Sequence, residues 1–118
     1  MRVLVVDDEL LIRWSIAETL TEDGHCVIEA ADAAAAIAEL VKEPPPDVVL
    51  LDYRLPDSDD LGLLARIRQL APAAAVIMMT AFGTPEMTAE ALELGAREVV
   101  SKPFNLHELA EKVRVARG

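Results

Sequence analysis

Val3-Leu4-Val5-Val6-Asp7-Asp8-Glu9 is the stretch whose reading decides the fold. Four apolar residues run straight into three acids. A continuous apolar run of that length reads as a strand buried on both faces of a parallel sheet. The carboxyl ends of such strands are where open α/β sheets hold their ligands. Adjacent carboxylates at that edge repel one another unless a cation neutralises them. The opening run therefore points to a hard-cation site and raises the question of which other groups converge on it.

Outward from that strand, the chain alternates strand-like and helix-like segments. Leu11, Ile12, Ser15, Ile16 and Leu20 recur at helical spacing, which predicts a helix over 10–22 that stops at Asp23-Gly24. A short strand is expected over 26–30. Asp32 is placed to cap an alanine-rich helix from Ala33 to about Lys42, ended by Pro44-Pro45-Pro46. Val48–Leu51 reads as another buried strand and runs directly into Asp52. The spacing then predicts a helix over 61–70, a strand over 75–79 ending at Thr80, and a helix over 84–94. That helix has Pro85 in its first turn and Gly95 as its stop. A shorter strand follows over 97–100, and Asn105 is placed to cap a last helix to about Arg117.

These are five β-α units in one domain spanning 1–118. Right-handed crossovers put the helices on both faces of a parallel sheet and bring all the strand ends to one edge. Asp7, Asp8, Asp52, Thr80 and Lys102 all fall at or just after those ends. Taken singly, each has an ordinary explanation: an acid in a first helical turn, a turn aspartate, a structural threonine, a solvated lysine. Five in register at one topological edge carry far more weight, because a motif is read by its structural context.

Bulk composition narrows the function. Hydrophobic residues make up 53% of the 118, enough for a core, but aromatics only 3%, too few for a base-stacking platform. A formal net charge of −10 argues against direct binding to nucleic acid or an anionic membrane and fits cations or basic protein surfaces. The single Cys26 excludes an internal disulfide, fits a reducing cytoplasm, and reads as buried packing rather than as a nucleophile. The N-terminal apolar run breaks at Asp7, too soon for a signal peptide, and no stretch approaches the ~20 apolar residues of a membrane span. Trp14 is expected partly buried on the first helix. His25 and His107 are expected on the surface.

The segments VLVVDDE, VVLLDYRLP, IMMTA and VVSKPF resemble, in order and over essentially the whole chain, the signature segments of response regulator receiver domains. Those domains are the phosphoacceptor half of two-component signalling. LIRWSIAETL further resembles the receivers of nitrogen-regulation-type transcriptional activators. The resemblance implies a flavodoxin-like, doubly wound (βα)5 fold with a five-stranded parallel sheet of order 2-1-3-4-5. It implies Asp52 as the phosphoacceptor. Asp8 and Asp52 are implied as direct ligands of Mg²⁺ (Mn²⁺ being an alternative ion). Asp7 is a ligand directly or through water, and the backbone carbonyl of Arg54 is a further one. Lys102 and Thr80 would contact phosphoryl oxygens, the small Ala81 would leave room for the donor, and a cis bond before Pro103 would aim the lysine inward.

Four positions depart from the family pattern. Val99 stands where receivers usually carry a tyrosine or phenylalanine that swings on activation. The switch is therefore expected to pass through backbone and packing shifts around 99–102. Asp57 and Asp60 stand where glycine is usual, and are expected to tolerate positive φ at some cost while adding negative charge near the metal. Phe82 is bulky and, with Arg54, is expected to slow hydrolysis of the phosphorylated form.

The resemblance implies a sensor histidine kinase as phosphodonor and a homodimer through the face of the fourth helix, fifth strand and fifth helix. An output domain or partner would act in transcription regulation, the domain being a switch that catalyses only its own phosphorylation and dephosphorylation. The chain ends VRVARG, near where a receiver's last helix should end, so a fragment of a longer regulator is expected. A Mg²⁺-dependent phosphohydrolase working through an aspartyl phosphate is the competing reading. It would need a second general acid/base carboxylate and a substrate cap. A degenerate receiver that only docks proteins would lack one or more of the five key side chains, and all five are present.

Overall fold

A computed structural model describes residues 1–58, 61–81 and 83–116. It contains strands β1 (Arg2–Val6), β2 (Cys26–Ala30), β3 (Val48–Asp52), β4 (Ala75–Thr80) and β5 (Glu98–Ser101). These alternate with helices α1 (Leu10–Glu22), α2 (Ala33–Leu40), α3 (Gly62–Leu70), α4 (Pro85–Glu93) and α5 (Leu106–Ala116). The five strands form one sheet in the order β2-β1-β3-β4-β5, with every pairing parallel. This is the flavodoxin-like topology implied by the sequence.

Strand alternation divides the core between the two sheet faces. Leu4 and Val6, Val49 and Leu51, and Val76 and Met78 face one side, where they pack with buried residues of α2, α3 and α4. Val3 and Val5, Val48 and Leu50, and Ile77 and Met79 face the other, where α1 and α5 cover them. β3 is buried along its whole length, including Asp52. The central strands are thus fixed from both faces, and their carboxyl ends cannot move independently of the core.

The helix boundaries follow local chemistry. The Asp32 side chain accepts from the Ala35 amide at 2.7 Å, Thr84 from Met87 at 3.1 Å, and Asn105 from His107 and Glu108 at 2.8 and 3.1 Å. Each is an N-cap that satisfies donors a helix start leaves open. Gly24 and Gly95, at φ +89° and +104°, supply the left-handed residue that terminates α1 and α4.

Several expectations need correction. α2 ends at Leu40, with Val41 as its C-cap, two residues short of Lys42. β5 begins at Glu98 rather than Arg97. Trp14 is 54% exposed, because α1 buries Ile16, Ala17 and Leu20 and turns Leu10, Leu11 and Trp14 to solvent. Cys26 is exposed, since β2 is an edge strand. His25 is half-buried, with Nδ1 3.3 Å from the amino group of Met1; burial first, then that ammonium, hold its pKa below the ordinary value. His107 lies on the surface as expected.

Candidate phosphoacceptor site

Among the described residues only three polar or charged side chains are buried: Asp7, Asp52 and Thr80. All three sit at the carboxyl edge of the sheet, on or next to the ends of β1, β3 and β4. Burying ionisable groups is unfavourable unless they are paired or bind a cation, so their placement at one edge calls for a counter-charge.

Lys102 supplies part of it. It follows β5, its amide donates to the Thr80 carbonyl at 2.8 Å, and its peptide bond to Pro103 is cis. The Nζ atom lies 3.0 Å from Asp7 Oδ2, 3.4 Å from Asp52 Oδ1 and 3.5 Å from Glu9 Oε1. Burial alone would lower the lysine pKa. The hydrogen bond that Lys102 donates to Asp7 and the charges of Asp52, Asp7 and Glu9 outweigh it, and the pKa is raised. Asp7 is fully buried: Oδ1 accepts from the Glu9 amide at 2.9 Å, and the backbone carbonyl accepts from Arg13 Nη1 at 2.8 Å. Asp52 is pushed up to about 6, first by burial and second by the Asp7 charge, against the opposing pull of Lys102 and of a hydrogen bond from the Arg54 backbone. At neutral pH its carboxylate is therefore mostly ionised.

Asp7, Asp8 and Asp52 each present a carboxylate oxygen within 4.8 Å of the others, two of them buried and Asp8 exposed to solvent. This donor set is all hard oxygen with one open side, which suits an ion that keeps several waters. The cleft at this point has a volume of about 320 Å³ and is lined by Asp8, Glu9, Asp52, Arg54, Thr80, Ala81 and Lys102. A second, more apolar groove of about 480 Å³ adjoins it and shares Glu9, Ala81 and Lys102; Leu11 and Ile12 of α1 and Pro103, Phe104 and Leu106 complete its walls.

The residues expected at the site are thus brought together: Asp7, Asp8, Asp52, Arg54, Thr80, Ala81 and Lys102 share one edge, with Pro103 beside them. A model of the response regulator receiver domain matches residues 3–114. The chain belongs to the response regulator receiver family. It is 33% identical over 112 residues to the chemotaxis protein CheY of Bacillus subtilis (strain 168), covering 95% of this chain and 93% of that one. It is 34% identical over 115 residues to the phosphate regulon transcriptional regulatory protein PhoB of Escherichia coli (strain K12), covering 96% of this chain but 50% of PhoB. Among solved structures, the receiver domain of NtrX from Brucella abortus superposes with a TM-score of 0.87 at 34% identity, covering 98% of this chain and 97% of that one.

Sequence reasoning missed the part played by two residues of this receiver. Arg13 ties the Asp7 carbonyl to Glu29 (Nε to Oε1 3.0 Å), locking the end of β1 between α1 and β2. No local pattern signals it, because its partners lie on other strands. Asp57 is the other. None of the described non-glycine residues has a positive φ, so the strain expected at Asp57 is absent. Its carboxylate instead accepts from the Ala33 and Ala34 amides at 2.8 and 3.1 Å. These bonds, Ala33's first, hold it below the ordinary carboxylate range. Its charge is thereby directed at the start of α2 rather than at the metal cleft. Val99 is half-buried against the α2–α3–α4 side of the core, beside Met78 in register. The expectations for Phe82 and Asp60 fall outside the described residues.

Proposed function

We propose that this receiver takes a phosphoryl group from a sensor histidine kinase onto Asp52 and uses it to bias an output. The observation that carries this reading is the convergence of the three aspartates with Lys102 and Thr80 on one cleft. Asp8 and Asp52, with the Arg54 carbonyl and with Asp7 directly or through water, would hold Mg²⁺ or Mn²⁺. The ion would supply charge neutralisation for the incoming phosphoryl oxygens. An Asp52 carboxylate oxygen attacks phosphorus, the bond from phosphorus to the donor nitrogen breaks, and the electron pair leaves with the imidazole. Lys102 offsets negative charge on the phosphoryl oxygens, and the Thr80 hydroxyl donates to one of them afterwards. The adjoining apolar groove, continuous with the cleft over Ala81, is the surface on which the kinase would seat its histidine.

The added charge then shifts a two-state equilibrium in the face of α4, β5 and α5. Because Val99 has no ring to swing, that shift passes through packing around 99–102. The face carries Arg97 and Lys112 together with Glu90, Glu93 and Glu98, and its mixed charge suits self-association; Arg114 lies off it, paired with Asp23 at the end of α1. The output in this reading is transcription regulation, which the likeness to the transcriptional regulatory protein PhoB supports, in a longer regulator of the nitrogen-regulation type, towards which the likeness to the NtrX receiver points. The domain acts only on itself, in the cytoplasm; no described helix is long and apolar enough to cross a membrane.

Incubation with acetyl phosphate and Mg²⁺ tests the reading by intact mass. A persistent gain of one phosphoryl group, absent with chelator and absent in Asp52→Asn, is the expected result. Sustained turnover of phosphate esters without a lasting mass gain would favour the phosphohydrolase instead.

A further inference from the structure

Asp57 stands three residues beyond Arg54, in a turn closed from both ends. The Leu55 amide donates to the Ser58 carbonyl at 2.8 Å, and the Ser58 amide donates back to Leu55 at 3.2 Å. Leu55 itself is buried against the core. The far end of this turn is held by one side chain. Asp57 Oδ1 takes the Ala33 amide at 2.8 Å and Oδ2 takes the Ala34 amide at 3.1 Å, so both oxygens engage the first turn of α2. That first turn is separately capped by Asp32 through Ala35. Three of the amides that a helix start leaves open are therefore satisfied by two carboxylates, one local and one from a loop 24 residues away. α2 in turn follows β2, whose last residue, Ala30, accepts the Asp7 amide at 3.1 Å. A chain of bonds thus runs from the Arg54 loop through Asp57 and α2 to the residue that begins the acid cluster.

We infer that Asp57 is a positioning residue for the metal: its carboxylate clamps the Arg54 turn to the start of α2, so the Arg54 carbonyl faces the acid cluster before a cation arrives. The inference rests on the reading of that carbonyl as a ligand. It assigns to Asp57 the part that outer-shell groups play elsewhere, where losing the partner of a ligand typically weakens metal affinity about 10–100-fold. A short acid is required, because both amides must be reached from a closed turn. Glycine at this position would leave the turn hinged only at its buried end.

Mg²⁺ affinity of the wild-type chain, Asp57→Ala and Asp57→Asn, measured by calorimetry at low salt and at about 1 M salt, tests the clamp. The high-salt arm removes the through-space effect of a lost surface charge. Hydrogen exchange at the Ala33 and Ala34 amides is followed in parallel. The clamp predicts that Asp57→Ala binds Mg²⁺ at least about tenfold more weakly at both salt concentrations, with faster exchange at both amides. Asp57→Asn, which keeps one acceptor oxygen, should lose much less. Unchanged affinity in Asp57→Ala despite faster exchange would overturn the inference and leave Asp57 a helix cap alone. Equal losses in both variants that vanish at high salt would overturn it in favour of charge. A wild-type chain that binds no Mg²⁺ would instead sink the proposed function itself.

Discussion

Lys102→Ala is expected to slow phosphoryl uptake from acetyl phosphate about 100- to 1000-fold at saturating Mg²⁺, the range seen when one preorganised donor to a developing oxyanion is removed. The lysine is held for this task. Its side chain is 10% exposed and reaches two buried carboxylates and Glu9 within 3.5 Å. Its ammonium is thus fixed before the phosphoryl group arrives, and little reorganisation is needed during the reaction. The same contacts predict a second effect. Without Lys102 the buried Asp7 and Asp52 face each other with no side-chain cation, and breaking a buried pair in this way costs about 3–5 kcal/mol. The metal-free variant should therefore melt well below the wild-type chain, and Mg²⁺ should restore a larger part of its stability. Stopped-flow transfer rates and melting curves with and without chelator check both effects. A rate within a few-fold of wild type would remove Lys102 from the chemistry.

Asp52→Asn is expected to stabilise the metal-free protein at neutral and alkaline pH while abolishing phosphorylation. Asp52 titrates near 6 in the folded chain, raised by burial and then by Asp7, against about 3.9 when unfolded. An acid whose pKa is raised on folding favours the folded state most below its unfolded value. That contribution is lost as pH rises from about 4 through about 6, after which the folded chain carries an ionised carboxylate it would rather protonate. The penalty above pH 7 is on the order of 3 kcal/mol. Asparagine removes it. Chemical denaturation in chelator should show Asp52→Asn more stable than wild type at pH 8, with the gain shrinking towards zero near pH 4. Mg²⁺ should erase the difference at pH 8 by stabilising the wild-type chain preferentially. A gain of equal size at both pH values would show that Asp52 is not strained by its surroundings.

Much of this was legible beforehand, for identifiable reasons. Val3–Val6 and Val48–Leu51 are apolar on both faces, a pattern that a sheet covered on both sides imposes, and the residues that follow them must then meet at one edge. Caps at Asp32, Thr84 and Asn105 announce helix starts because they act on amides two or three residues away. What escaped the sequence depends on distant partners or on which side of an element faces out. α1 carries Leu10, Leu11, Ile12, Trp14, Ile16 and Leu20 almost around its circumference, so periodicity alone did not show that Trp14 faces water. β2 is half-buried, and nothing in CVIEA marks it as an edge strand that exposes Cys26. Asp57 read as a strained substitute for glycine because its real partners, the amides of Ala33 and Ala34, are brought to it only by the fold. Arg13 escaped for the same reason.

The central claim is that Asp8, Asp52 and the Arg54 carbonyl share one divalent ion. Mn²⁺ soaked into crystals and located by its anomalous scattering tests it most directly. The account predicts a single strong peak within about 2.0–2.3 Å of oxygens from all three groups, lost in Asp52→Asn. A peak elsewhere, or one touching Asp8 while Asp52 points away, would contradict it.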